Sequence, residues 1–241
     1  MEDFIMKNFT VLNYQGSKNN LSGFIQKNIE PYIQDGKAIL DIFSGSAAVC
    51  NMFRDNYQVY ANDVETYASI IADSILNQAD IDSASELVNS LAIEYTTTIK
   101  KLAKPIIDFV KKEQLALEQG DYERLITLYK LYPTVWNNQY SDITKNELTV
   151  DSIKQTGDFY LFTTYYATNY YGITQALDID CLIKIINLRF PQYKNALLSC
   201  LFYAMKETVF SKDGHMAQPL SLEKNQSRLF IQRSKNVYEL F

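Results

Sequence analysis

Residues 38–63 constrain this chain more than any other stretch. Ala38-Ile39-Leu40-Asp41-Ile42 is a short apolar run of the kind a parallel strand buried on both faces requires. It runs into a turn of small residues, Ser44-Gly45-Ser46-Ala47, followed by a helical pattern to about Asp55. Residues 57–61 read as a second short strand, ending at Asn62-Asp63. Val64, Tyr67, Ala68, Ile71, Ala72 and Ile75 then put apolar side chains on one face of another helix. Strand, turn, helix, strand, helix is how a doubly wound α/β sheet begins, with right-handed crossovers.

The flanking segments are helical. Residues 19–34 read as a helix or a helix pair interrupted near Pro31, stopped by Asp35-Gly36. After about residue 80 the character changes. Ser83 and Glu86 form a capping box, and Leu87, Leu91, Tyr95, Ile99, Leu102 and Ile106 follow at helical spacing, with a kink expected at Pro105. Asp121 is placed to cap a helix that stops before Pro133, residues 134–160 are polar and loop-rich, and further helices are expected over 179–190 and 193–208. The expected division is an α/β portion over residues 1–80 and a mainly helical portion over 81–241.

Composition narrows the class. The 241 residues suffice for one large domain or a domain with a substantial insert, and 47% hydrophobic residues exclude wholesale disorder. Cys50, Cys181 and Cys200 are widely spaced with no CxxC, which excludes a disulfide scaffold and points to a reducing compartment. One histidine, His215, provides no ligand set for structural zinc; beside Asp213 it has no nucleophile motif to serve. No apolar run reaches a membrane span and the start MEDFIMKNFT has no signal-peptide core, so a cytoplasmic protein is expected. A net charge of −5 neither supports nor excludes nucleic acid, because DNA binding needs a local basic surface.

In sheets of this kind ligands bind beyond the carboxyl ends of the strands. The small turn lets backbone approach a ligand, or lets a helix pack closely on a strand. Asp63, well downstream of Asp41, suits the two hydroxyls of a ribose. A nicotinamide cofactor would want GxGxxG, and this turn has a single glycine. S-adenosylmethionine carries no phosphate, so the residues favour the methyl donor. Upstream, Asn13-Tyr14-Gln15-Gly16-Ser17-Lys18 is not a P-loop; by itself it is a loop entering a helix.

Together, the 13–18 segment, ILDIFSGSAAV at 39–49 and YANDVETY at 60–67 resemble the D12 class of adenine-N6 DNA methyltransferases, the family of the Dam enzymes. Tyr14 and Lys18 match the family's N-terminal cofactor motif, Asp41, Phe43, Gly45 and Ser46 its D/E-x-F-x-G-[S/A]-G motif, and Asp63 its ribose-binding acid. Ala47 replaces the usual third glycine, with a methyl group expected to narrow the cofactor pocket. YYATNYYGITQALDID, at 165–180, is similar to the family's aromatic-x-x-Gln-Ala-x-x-Ile-Asp stretch. The resemblance implies a Rossmann-like S-adenosylmethionine-dependent sheet with a large, mainly helical target-recognition insert. It implies S-adenosylmethionine and double-stranded DNA as ligands, in a restriction–modification or phage setting.

The family moves a methyl group to the adenine N6 with the base flipped from the duplex and held by a [D/N/S]-P-P-[Y/F] loop. This sequence contains no Pro-Pro, so no catalytic residue is assigned and the 241 residues are expected not to methylate DNA unaided. A second polypeptide supplying that loop is one alternative. A non-catalytic DNA- or partner-binding protein on the same scaffold is another. Lys224, Arg228, Arg233 and Lys235 are candidate phosphate contacts, with Asn225 and Gln226 as candidate base readers, although a solvated polar surface fits each singly. The tyrosines at 160–171 are expected to be mostly core.

Overall fold

The computed structural model describes residues 11–12, 18, 21–33, 37–77, 84–135, 151, 153, 160–214 and 218–241. The chain forms two compact units, residues 1–82 with 192–203 and residues 83–191 with 204–241, so the first draws on a later segment as well.

The first unit opens with α1 (Ser22–Ile29), continued by a 3-10 turn at Glu30–Tyr32 that has Pro31 in its first turn. Strands β1 (Ala38–Asp41) and β2 (Gln58–Ala61) pair in parallel, Ala38 opposite Gln58 and Asp41 opposite Ala61. Between and after them lie α2 (Ala48–Phe53) and α3 (Thr66–Leu76), and Arg54 of the α2 end donates to the Ile75 carbonyl at 2.9 Å. Val11, Ala47, Cys50, Ile71 and Ala72 form the core here, with Val59, Ala61 and Phe202 packed against it. The expectation of strands buried on both faces needs correction. Ile39, Asp41, Val59 and Ala61 are half-buried, whereas Ala38, Leu40, Gln58 and Tyr60 on the other face are exposed. Apolarity in 38–42 therefore does not report two covered faces among the described residues. The sheet described has two strands, a single βαβ unit, so the full Rossmann-like sheet expected is not seen among the described residues.

The second unit is helical: α4 (Ala84–Ala103), α5 (Ile107–Gln119), α6 (Tyr122–Leu131), α7 (Leu161–Tyr165), α8 (Ile173–Arg189), α9 (Lys194–Thr208, its C-terminal end belonging here), α10 (Gln226–Arg233) and α11 (Val237–Leu240). Pro105 sits in a 3-10 turn between α4 and α5, as its missing N–H requires. Asp121 caps α6, accepting from the Arg124 amide at 3.0 Å. The capping box expected at Ser83 and most of 134–160 lie outside the described residues.

Helix α8 is the centre of this unit. Ile173, Ala176, Leu177, Ile179, Cys181, Leu182, Ile185 and Ile186 are all buried, and α8 packs on α4, α5, α7 and α11. It begins at Ile173 rather than at 179, because Gln175, Asp178 and Asp180 read as polar yet are buried with partners. Asp180 accepts the amides of Phe162 (2.9 Å) and Thr163 (2.8 Å), capping α7. Glu113 of α5 caps α8 itself, accepting Ile173 N (2.7 Å), Thr174 N (2.8 Å), Thr174 Oγ1 (2.7 Å) and the Tyr129 hydroxyl (2.7 Å). Gly172 lies against this carboxylate so closely that a Cβ would stand 2.9 Å from Glu113 Oε1. Gln175 accepts from Gly172 N and donates to the carbonyls of Gln232 and Lys235, pinning the C-terminal segment. Within this unit the residues of the Gln-Ala-x-x-Ile-Asp stretch thus hold helix ends in place. Tyr160 and Tyr171 are core, and Tyr166 is exposed.

Candidate functional site

The first unit gathers polar groups at the carboxyl ends of its two strands. Asn62 N donates to the Asp41 carbonyl at 2.8 Å, Ser44 N to the Asn62 carbonyl at 3.1 Å, and Asn62 Nδ2 to the Ile42 carbonyl at 3.2 Å. These bonds lace the turn after β1 to the end of β2. Gly45 and Ala47 both take left-handed backbone, φ 49° and 56°, which turns the chain from strand into α2. The Gly45 amide then points at Asp63 and donates to Oδ2 at 2.8 Å, while Glu65 N donates to Oδ1 at 3.0 Å. Those amides, with Val64, hold the Asp63 carboxyl below its usual range. An ionised carboxylate has about four acceptor sites, so Asp63 keeps acceptor capacity beyond these amides.

Asp41 faces the same end. Burial pushes its carboxyl up, opposed by the Phe43 amide and the Cys50 thiol, whose Sγ stands 3.7 Å from Oδ2. Asp63 raises it further and the Lys18 ammonium lowers it, so Lys18 is brought within electrostatic reach of Asp41. Burial and Asp41 push the Cys50 thiol up to about 12, which keeps it protonated and unreactive. Phe43 is 82% exposed beside the turn. Ser44 is buried, and its Oγ has no hydrogen-bond partner. With Asp63 it lines a cavity of about 580 Å³ whose other walls come from β2, from Arg54 and Tyr57 before it and from α3, and which Asp41, Phe43 and Gly45 do not line.

The structure therefore brings Lys18, Asp41, Gly45 and Asp63 to one place, with Phe43 and half-buried Ser46 on the same turn. Tyr14 lies outside the described residues. The effect expected of Ala47 changes: its side chain is fully buried in the core cluster with Cys50, Ile71 and Ala72. Ser44 was missed as a candidate; its only signal was its place between Phe43 and Gly45 in the turn. The arrangement suits a nucleoside-bearing amino acid, because it combines an acceptor for hydroxyls, an acid with a base, an orphaned hydroxyl and an exposed aromatic. Among the described residues no group of His, Cys, Asp and Glu could hold a metal ion.

The candidate DNA contacts lie in the second unit around α10. Lys224 is exposed, Asn225 donates to the Ser221 carbonyl at 2.9 Å, and exposed Arg228 donates to the Ser211 carbonyl at 2.8 Å. Arg233 requires a correction. It is 4% exposed, and its guanidinium donates to the carbonyls of Thr168, Asn169 and Tyr170 under the rings of Tyr129 and Phe210. A guanidinium committed inward in this way ties the 168–170 turn to α10 and does not reach a phosphate. Lys235 likewise donates to the Glu207 carbonyl at 2.7 Å.

Comparison with known proteins follows the same residues. The chain is 25% identical over 109 residues to the modification methylase LlaI of Lactococcus lactis subsp. lactis, a match covering 45% of this chain and 16% of that protein. No solved structure gives a significant match. No helix among the described residues is long and apolar enough to cross a membrane. The profile of D12 class N6 adenine-specific DNA methyltransferases matches residues 14–176, well over half of the sequence, and spans both the strand-end cluster and the start of α8. The chain belongs to the D12 class of N6 adenine-specific DNA methyltransferases.

Proposed function

We propose that this chain binds S-adenosylmethionine at the ends of β1 and β2 and serves site-specific adenine-N6 methylation of double-stranded DNA in a restriction–modification setting. The observation that carries the proposal is the Asp63 carboxylate, held below its usual range by the Glu65 and Gly45 amides at the carboxyl ends of the strands and retaining acceptor capacity. The bound cofactor would supply the sulfonium methyl group that the adenine amine attacks. Asp63 accepts the ribose hydroxyls, and Ser44 Oγ offers the buried hydrogen bond it lacks. Asp41 and Lys18 provide opposite charges for the ammonium and carboxylate of the amino-acid end, and Phe43 contributes apolar surface. Lys224, just before α10, and Arg228 within it, both exposed, remain the residues proposed to meet DNA.

The sequence has no Pro-Pro pair to hold an extruded adenine, so these 241 residues bind the cofactor and do not transfer its methyl group by themselves. Calorimetric titration with S-adenosylmethionine and S-adenosylhomocysteine should give one site, weakened at least tenfold by Asp63→Ala. Labelled cofactor and duplex DNA should give only background transfer. No binding by the unaltered protein would end the cofactor assignment, and robust transfer would end the claim that a Pro-Pro loop is required. A second reading has one observation in its favour: the Asp63 clasp would equally stabilise a scaffold that binds DNA or a partner without cofactor. Asp63→Ala that unfolds the first unit without any cofactor affinity in the unaltered protein would favour it.

A further inference from the structure

The second unit carries a basic surface away from α10. Residues 100–112 contain five lysines, Lys100, Lys101, Lys104, Lys111 and Lys112, against one acid, Asp108, in a chain whose net charge is −5. The α4–α5 segment sorts its residues cleanly. Leu102, Ala103, Ile106, Val110, Glu113 and Ala116 are buried, and Lys100, Lys104, Ile107, Lys111 and Leu115 are exposed at spacings of 4, 3, 4 and 4 residues. Lys100, Lys104 and Ile107 line one depression, and the spacing within α5 carries the same face on to Lys111 and Leu115, with Asp108 exposed beside it.

Two ordinary explanations for such a run fail here. Basic residues in the last turn of a helix are favoured by its dipole, which accounts for Lys100 on α4. Lys104 directly follows α4 and shares that end, but Lys111 lies in the middle of α5, where neither helix end accounts for it. Ion pairing is the other explanation. Among the described residues no acidic side chain pairs with Lys100, Lys104 or Lys111. Several basic residues elsewhere in the unit are engaged: Arg233 and Lys235 on carbonyls, Arg189 on Glu94. A line of unpaired ammonium groups repels itself, and a polyanion relieves that repulsion. Ile107 and Leu115 between them give apolar contact of the kind a deoxyribose edge accepts.

We infer that the outward line Lys100–Lys104–Lys111 of α4 and α5 is a DNA-backbone contact, binding phosphates without regard to sequence. The inference rests on the proposal that the chain binds duplex DNA. It is tested by fluorescence anisotropy of the whole chain on a labelled duplex across a salt series, with the triple variant Lys100→Gln/Lys104→Gln/Lys111→Gln. All three side chains are exposed, so the variant should keep the circular dichroism and thermal midpoint of the unaltered protein. Affinity should fall at least tenfold at low salt, and the slope of log K against log salt should shrink by about 2–3, near 0.9 for each phosphate no longer neutralised. Unchanged affinity and slope in the triple variant, with Lys224→Gln/Arg228→Gln losing both, would overturn the assignment and leave DNA binding standing. An unaltered protein that binds no duplex would sink both. Equal binding of polyglutamate, with the same loss of slope, would make this a surface for acidic polypeptide and overturn the inference.

Discussion

The two units use polar groups in opposite ways. In the helical unit, the buried polar side chains around α8 are consumed by the fold: Glu113 takes four hydrogen bonds, Gln175 bonds from both ends of its amide, and Asp180 caps α7, although the Thr163 and Ser211 hydroxyls there have no hydrogen-bond partner. In the α/β unit, the strand ends keep capacity in reserve. Ser44 Oγ is buried without a partner, Asp63 has lone pairs beyond its two amides, and Phe43 stands in solvent. Perturbed or buried acids are therefore a poor guide to the ligand site in this molecule. The burial-raised carboxyls Asp178 and Asp180 belong to the scaffold, whereas of the two acids proposed for the cofactor burial raises Asp41 and backbone amides lower Asp63.

Removing the central cap should separate the units most strongly. Glu113→Ala leaves Ile173 N, Thr174 N and the Tyr129 hydroxyl buried without an acceptor. It should cost about 3–5 kcal/mol in urea denaturation. A loss under about 1 kcal/mol would mean that Glu113 is not the pin described.

A pH series gives the next largest effect. Burial pushes Asp178 and Asp180 each up to about 7, above their unfolded value, so the folded unit holds protons that the unfolded chain releases. The stability linked to these groups is complete below about pH 4 and is lost as pH rises through 7. Denaturation midpoints should be higher at pH 5.5 than at pH 8, by on the order of 2 kcal/mol. Asp178→Asn should shrink that difference while keeping a partner for the Tyr95 hydroxyl, which donates to Asp178 at 2.7 Å. A midpoint that climbs from pH 5.5 to 8 would contradict the buried, neutral state of these carboxyls.

Ala47→Gly should do least. Glycine relieves a left-handed alanine, a gain of about 1 kcal/mol, but gives up one fully buried methyl worth about 0.8 kcal/mol. The net should lie within about 0.5 kcal/mol of zero, with cofactor affinity unchanged. A clear gain in cofactor affinity would return the methyl group to the ligand pocket.

How much the sequence disclosed also differs between the units. β1, β2, the small turn and Asp63 were legible because apolar runs, glycine and a following acid are local signals. The exposed face of Leu40 and Tyr60 was not, since an apolar strand reads the same whether or not its second face is covered. In the helical unit, Asp121 and Pro105 announced their roles through capping and ring chemistry. Glu113 and Arg233 did not: a charged residue reads as surface unless its partners, about 60 positions away in sequence, are known. The same blindness made α8 start too late, because Gln175, Asp178 and Asp180 broke an apolar pattern that the fold completes with hydrogen bonds.

The central claim is that ligand binding draws on the reserve at the strand ends and leaves the helical unit's closed network alone. Amide chemical shifts of the ¹⁵N-labelled chain, followed during titration with S-adenosylhomocysteine, test it most directly. The account predicts saturable shifts concentrated at Ser44, Gly45, Asp63 and Glu65, with Ile173 and Thr174 unmoved. Shifts centred on Ile173 and Thr174, or none at Gly45 and Asp63 under saturating ligand, would contradict it.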